Sequence, residues 1–321
     1  MFYKFIIAIF LLASSFQYNT FDASNLKSTS DNPNNNYDAS QYITNFNVEM
    51  IKYYSWFASY GYCKDEEISS GSCCKSKNLL NNNWEIVSHN NVKNPILFSY
   101  NWVLLKSDKF KKYIIAVPGT REKLQLFLEA VRSDLDSYND DENIKISHYF
   151  LFLYNDFDQD LFSANNLKEI KNHPDYQIII TGHSLGGAVA SIIAFAIKKE
   201  KIFTNNLVLI TYGQPRTGNY YFADYVTKNV NKIFRIVRKG DMVVTIPPPY
   251  TPIFGGKKDN YYHIGGMIVL NKEMNEFTQC EYNRFEDHSG ICKYQGDLLD
   301  FETYHNKYFS PNVNFPKRCK D

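Results

Sequence analysis

Hydrophobic positions change their period along this chain, and the changes mark out its elements. Between Tyr42 and Gly61, the residues Ile43, Phe46, Met50, Ile51, Tyr54, Phe57 and Ala58 recur at three- and four-residue steps. That is the period of one helix face and predicts a helix there. From Trp84 the pattern turns to strands. Trp84 to Ser88, Ile96 to Lys106 and Tyr113 to Val117 are β-rich runs separated by Asn/Pro or Ser-Asp-Lys turns. Ile144 to Phe152 reads either as a further strand or as the start of a helical segment reaching toward Ile170. Gln177 to Thr181 reads as a short buried strand, and Gly186 to Lys199 as a helix with an apolar face and a basic last turn. Leu207 to Tyr212, Ile233 to Arg238 and Tyr261 to Leu270 are further predicted strands. Strands alternating with helices predict an α/β sheet covered on both faces. No internal repeat and no second domain boundary is visible.

The N-terminal region has a different texture. Asn25 to Ser40 is polar, rich in Asn, Ser and Asp, and lacks apolar periodicity. Residues 16–40 therefore read as a flexible linker or pro-segment ahead of a single domain over 41–321. Upstream, Lys4 supplies a positive charge, Phe5 to Leu12 is apolar but too short to span a bilayer, and Ala13-Ser14-Ser15 offers small residues for cleavage. Residues 1–15 thus read as a secretion signal, so the expected location is extracellular or lumenal. No later run is long and apolar enough for a transmembrane segment. The six cysteines suit such a compartment. Three lie near the front and three near the back, so at least one bridge is expected to tie the ends together. Cys280 and Cys292 are placed to close a small loop. Zinc is disfavoured, because no paired CxxC has histidines nearby.

Composition removes other function classes. The formal net charge is +1, from 35 basic and 34 acidic side chains, which gives no electrostatic case for nucleic acid. Aromatic residues make up 16% of the chain, enough to furnish a core and half-buried strands.

The candidate chemistry lies in Gly182-His183-Ser184-Leu185-Gly186, between a predicted strand and a predicted helix. A serine nucleophile on a sharp strand-to-helix turn needs glycine two residues to either side, where a bulky side chain would collide. The helix that follows aims its first N–H groups at developing negative charge. A plain βα turn is the alternative. Such a serine needs an acid and then a histidine, in that chain order. Asp241 follows a predicted strand and Gly240, at the end of the sheet where open α/β folds place active residues. A turn aspartate would look the same. Three downstream histidines compete: His263, His288 and His305. Spacing alone does not choose between the last two.

Taken together, several segments resemble the class 3 lipases, the fungal-type triacylglycerol lipase family within the α/β-hydrolase fold. The resemblance covers roughly Ile43 to Cys319. "TGHSLGGAVA" looks like the family's nucleophile motif, and "TYGQPRTGNYYFADYV" like the segment after its next strand. "RIVRKGDMVVTIPP" resembles the stretch carrying the catalytic aspartate, and "HNKYF" the terminal stretch carrying the catalytic histidine. The resemblance implies a central, mostly parallel sheet with helices on both faces and a short helical lid. It implies Ser184 as nucleophile, Asp241 as orienting acid and His305 as base, with His263 structural. "IIAVPGTRE" resembles the oxyanion loop, with Pro118 where the family often has arginine. Thr120 and Leu185 would then be the oxyanion donors. In the family a lid follows this loop. Here Leu124, Phe127, Leu128, Val131 and Leu135 fall on one helix face of 121–135. The family's bridge from an early helix to the C-terminus suggests Cys63–Cys319.

The expected activity is hydrolysis of acylglycerols through an acyl-enzyme at an oil–water or membrane interface, by a monomer needing neither cofactor nor metal. A phospholipase A1 or a soluble aryl or feruloyl esterase uses the same constellation. An inactive lipid-binding protein is the non-enzyme alternative, and the presence of every proposed triad residue argues against it.

Overall fold

The structure is a computed structural model that describes residues 19–22, 37–75, 78–81, 83–94, 98–120, 134–139, 141–156, 158–248, 260–280, 301–309 and 314–319. The strands are β1 (Asn19–Asp22), β2 (Glu85–Asn94), β3 (Phe98–Ser107), β4 (Lys112–Val117), β5 (Leu135–Tyr138), β6 (Asp141–Ser147), β7 (Gln177–His183), β8 (Leu207–Tyr212), β9 (Lys232–Arg238), β10 (Met267–Leu270) and β11 (Glu276–Gln279). The helices are α1 (Val48–Tyr60), α2 (Asp65–Ser69), α3 (His148–Asn155), α4 (Asp158–Leu161), α5 (Ala164–Lys171), α6 (Leu185–Lys199), α7 (Tyr220–Asn229) and α8 (Phe301–Asn306).

A 9-stranded sheet runs in the order β1-β11-β10-β9-β8-β7-β4-β3-β2. Its centre, from β4 through β7, β8 and β9 to β10, is parallel, and its two margins are antiparallel. β5 and β6 form a separate hairpin. The unbroken apolar runs of the central strands follow from burial on both faces. Along β7, Ile178 and Ile180 join α3, α6 and α7 in one core, while Ile179 joins α1 and the C-terminal turn Phe315–Lys317 in the other. β4 alternates the same way, with Tyr113, Ile115 and Val117 on the first side and Ile114 and Ala116 on the second.

Several boundaries differ from the sequence reading, for local reasons. The first helix starts at Val48, not Tyr42, because the Asn47 side chain caps it by accepting from the Met50 N–H at 3.0 Å. Ile43 is buried ahead of the helix, in an extended lead-in. The segment over Ile144 to Phe152 is both things expected of it: β6 ends at Ser147 and α3 begins at His148. The strand expected from Tyr261 begins only at Met267, because Gly266 takes φ +74° where its backbone crowds Ile233. Leu135 opens β5 instead of closing a helix, whereas Leu124, Phe127, Leu128 and Val131 lie outside the described residues.

Within the stretch read as a linker, Asn19–Asp22 pair antiparallel with β11, and the chain from Tyr37 onward packs on the domain. Tyr37 sits against Tyr53 and Tyr54, with ring centroids 5.4 and 5.9 Å away. The buried Lys112 ammonium donates to the carbonyls of Ala39 and Gln41, each at 2.5 Å. Its neighbour across the sheet, Gln177, bonds both the N–H and the C=O of Ile43. A polar clasp at the amino end of β4 and β7 thus holds the lead-in.

The cysteine pairing differs from the Cys63–Cys319 expectation. The bridges are Cys63–Cys73 and Cys74–Cys319. After α2 the chain folds back, with the Cys73 N–H donating to the Glu67 carbonyl, and this carries Cys73 to Cys63. Consecutive side chains diverge, so Cys74 meets the C-terminal turn instead. The sulfurs of Cys63, Cys73 and Cys319 lie within 4.8 Å of one another, so the expected partner is adjacent but already bonded. Cys280 is also in a disulfide, while Cys292 lies outside the described residues.

Two stability measurements follow. Cys74–Cys319 spans 245 residues and Cys63–Cys73 only 10. Loop-closure entropy grows with span, so replacing both members of the long bridge by alanine should cost about 2–5 kcal/mol in denaturant unfolding, and the short bridge less. Second, burial pushes the Lys112 ammonium from 10.5 down to about 8. Between about pH 8 and the unfolded-state value, the unfolded chain holds one more proton than the folded one, so this group adds stability as pH rises. Wild type should gain stability from about pH 8 to pH 10 relative to Lys112→Met, measured by urea midpoint at each pH; parallel curves would contradict the assignment.

Candidate active site

β7 delivers the chain to Ser184 in a conformation that L-residues avoid, with φ 59° and ψ −128°. Its N–H donates to the Tyr212 carbonyl at 2.8 Å, and its carbonyl accepts from Gly187 at 2.9 Å, starting α6. The glycines at either side are sterically required. A Cβ on Gly182 would fall 2.3 Å from the Gly186 oxygen, and one on Gly186 would fall 2.2 Å from the Val117 oxygen. A plain βα turn has no need of these contacts, whereas a nucleophile elbow does.

Asp241 follows β9 and is fully buried. A dry carboxylate must be hydrogen-bonded, and this one is. Oδ1 accepts from the Val243 N–H at 2.9 Å, and Oδ2 accepts from the Tyr308 hydroxyl at 2.7 Å. The Nδ1 of His305, on α8, lies 3.0 Å from both oxygens. Burial and the Asp241 charge push the Tyr308 hydroxyl well above its ordinary value, so it stays a donor. With Nδ1–H donating to the carboxylate, Nε2 of His305 carries the lone pair. That nitrogen is buried and has no hydrogen-bond partner.

The backbone at the end of β8 closes against this pair. Gly213 takes φ +59°, and a Cβ there would stand 2.9 Å from Asp241 Oδ2 and 3.0 Å from His305 Nδ1. On the other side, a Cβ on Gly119 would lie 3.0 Å from the Ser184 Cβ, so the loop after β4 abuts the serine. The next residue, Thr120, is half-buried and its hydroxyl is unpartnered. Leu185 is the first residue of α6, where an N–H has no intrahelical acceptor. Pro118 is buried in this loop, close against the backbone of Gly61 and Gly186.

All five residues singled out, Ser184, Asp241, His305, Thr120 and Leu185, therefore sit at or over the carboxyl ends of the parallel strands. Asp241 and His305 are directly bonded. Ser184 Oγ makes no hydrogen bond to His305. Ser184, Asp241 and His305 are 3%, 0% and 1% exposed. His263 is a structural residue: it is buried and its Nε2 lies 2.7 Å from the Val244 carbonyl. His288 lies outside the described residues. Sequence reading passed over Tyr308, Gly213 and Tyr62. Tyr308 stood inside the quoted "HNKYF", and only the fold shows that its hydroxyl meets Asp241. The three clustered cysteine sulfurs are spent in disulfides and offer no thiolate to a metal.

Residues 114–251 match the family described as Lipase (class 3). The lipase of Rhizopus niveus is 32% identical over 155 residues, covering 48% of this chain and 39% of that protein. The secreted mono- and diacylglycerol lipase 1 of Fusarium solani is 33% identical over 111 residues, 34% of this chain and 32% of that protein. The matched segment thus spans about two fifths or less of these relatives' length. The crystal structure of a lipase from Rhizopus microsporus var. chinensis aligns with TM-score 0.67 at 25% identity, covering 85% of this chain and 91% of that one. The matched region, which holds Ser184 and Asp241, is thus similar to the class 3 lipase family, and the chain has the α/β-hydrolase fold of these lipases.

Proposed function

We infer that this protein is a serine carboxylic-ester hydrolase acting on acylglycerols. The observation that carries the reading is the buried Asp241–His305 pair with a bare Nε2, set beside a serine held on a strained turn. Nε2 takes the Ser184 hydroxyl proton as Oγ bonds to the ester carbonyl carbon, and the carbonyl π pair moves onto oxygen. The Thr120 and Leu185 N–H groups hold that oxyanion. The pair then returns, the C–O bond to the alcohol breaks, and the alcohol leaves with the proton from Nε2. Water repeats the sequence on the acyl-serine, releasing the acid. Asp241 keeps His305 in the Nδ1–H tautomer and offsets its charge while protonated. The Ser184–His305 hydrogen bond forms as substrate seats, a tightening common at such sites.

The one-sided apolar pattern after the Thr120 loop supports a lipid substrate over a soluble ester. A lid of that kind hides its apolar face in water, and a lipid surface opens it by solvating that face. The segment 121–133, in which Leu124, Phe127, Leu128 and Val131 fall on one helix face, is the proposed lid. The signal-like residues 1–15 and the disulfides support secretion or a lumenal location.

Turnover should rise sharply as glyceride passes its solubility limit and fall by about four orders of magnitude or more in Ser184→Ala. Activity confined to soluble esters would discard the interfacial reading. Phosphatidylcholine preferred over glycerides would make the protein a phospholipase. Asp241→Asn should lower kcat by about 10⁴-fold, because the amide stabilises the wrong imidazole tautomer. Gly213→Ala should keep the fold yet lose about tenfold or more in kcat, since the new methyl displaces the imidazole. His305→Ala should abolish turnover while His288→Ala retains it, and the reverse result would reassign the base.

A further inference from the structure

We propose that His183 is a positioning residue: a strut through which the nucleophile strand holds the main chain of His305. The proposal rests on the reading of Ser184 and His305 as nucleophile and base. His183 is the last residue of β7, directly before Ser184, and is 1% exposed. Its Nε2 lies 2.9 Å from the carbonyl oxygen of His305. Its Nδ1 lies 2.7 Å from the Tyr62 hydroxyl.

These two contacts determine where the proton sits. A carbonyl only accepts, so Nε2 of His183 must carry the hydrogen. Nδ1 is then a lone pair, and the Tyr62 hydroxyl must donate to it. The imidazole is therefore a neutral, two-ended link between Tyr62 and His305. Burial, and next the nearness of His305, hold it well below its ordinary value, which preserves that state. Neutrality matters here, because the two imidazole centroids are 4.7 Å apart and His305 becomes cationic during turnover. A second cation at that range would oppose proton uptake by the base.

The ring is also fixed in its plane. Phe315 stacks on it at 4.3 Å with 3° between planes, and Tyr308 meets it edge-on at 6.3 Å. The link has work to do because α8 is only six residues long, Phe301–Asn306. A helix that short does not hold itself in place. Beyond Nδ1, the neighbouring main chain is held by Arg238, which donates to the Lys307 carbonyl at 2.7 Å. His183 grips His305 itself, and it does so from the residue bonded to the nucleophile. One side chain thus ties the main chain of the base to the strand that carries the nucleophile, across 122 positions.

The test compares three purified variants with wild type and Ser184→Ala. His183→Phe keeps an aromatic ring against Phe315 but has no polar atom. His183→Gln places an amide N–H near the former Nε2. Tyr62→Phe removes the donor to Nδ1. We expect folded His183→Phe to lose about 10²-fold in kcat with KM nearly unchanged, the scale of a small misplacement of reacting groups. His183→Gln should recover most of that loss, and Tyr62→Phe should fall between. Full kcat in folded His183→Phe, or an equal loss in the glutamine variant, would overturn the proposal. Should the phenylalanine variant not fold, imidazole NMR of wild type decides. A proton on Nε2 of His183 that persists from about pH 5 to pH 9 supports the strut, and a proton on Nδ1 refutes it. If Ser184→Ala remains active the triad reading fails, and the NMR result still reports separately on His183.

Discussion

The burial of one carboxylate organises the site. Asp241 has no exposed surface, and a buried charge left without partners costs several kcal/mol. Its donors come from two regions far apart in sequence: the Val243 N–H just after it, and the Tyr308 and His305 side chains more than sixty residues on. Seating the C-terminal segment against the sheet thus completes both the charge pairing and the candidate catalytic pair. The same segment brings Phe315 over His183 and Cys319 to Cys74. Electrostatics, packing and covalent closure therefore all demand one arrangement of these elements, the consistency that marks a well-specified fold.

The serine side is governed by close approach instead of charge. Ser184 is held at positive φ by the strand before it, the helix after it and the Tyr212 carbonyl. The space around it is so limited that Gly119, Gly182 and Gly186 each leave room for backbone or for Ser184 itself. Strain of this kind persists only where the surroundings over-determine it. The parallel core supplies those surroundings, with side chains buried on both faces of β4, β7 and β8.

Much of this was legible in the sequence because burial on both faces writes continuous apolar runs. β4, β7, β8 and β9 stand close to where those runs predict them. Ile43 misled the helix start because an apolar residue in an extended lead-in looks like one more turn of helix. The cysteines were illegible for a different reason. Their pairing depends on a fold-back after α2, and adjacent Cys73 and Cys74 have interchangeable spacings. The site divided in the same way. Ser184 announced itself through neighbouring glycines, a local steric demand. His305 did not, because only tertiary contact with Asp241 distinguishes it from another downstream histidine, and the choice of it rested on the family resemblance. Tyr62 could not be found from sequence, since its hydroxyl acts on a residue 121 positions away.

The bridge between Cys74 and Cys319 has a topological effect beyond rigidity. It makes the intervening chain a closed covalent ring, and Ser184, Asp241, His305 and Thr120 all lie inside it. A single backbone cut anywhere within the ring opens it into a linear chain without releasing either piece. The elbow and the C-terminal segment would remain tethered, and the tether keeps their effective concentration high for re-docking. A nick at an exposed loop therefore leaves the assembly intact in composition, and two cuts, or one cut together with reduction, are needed to separate its parts.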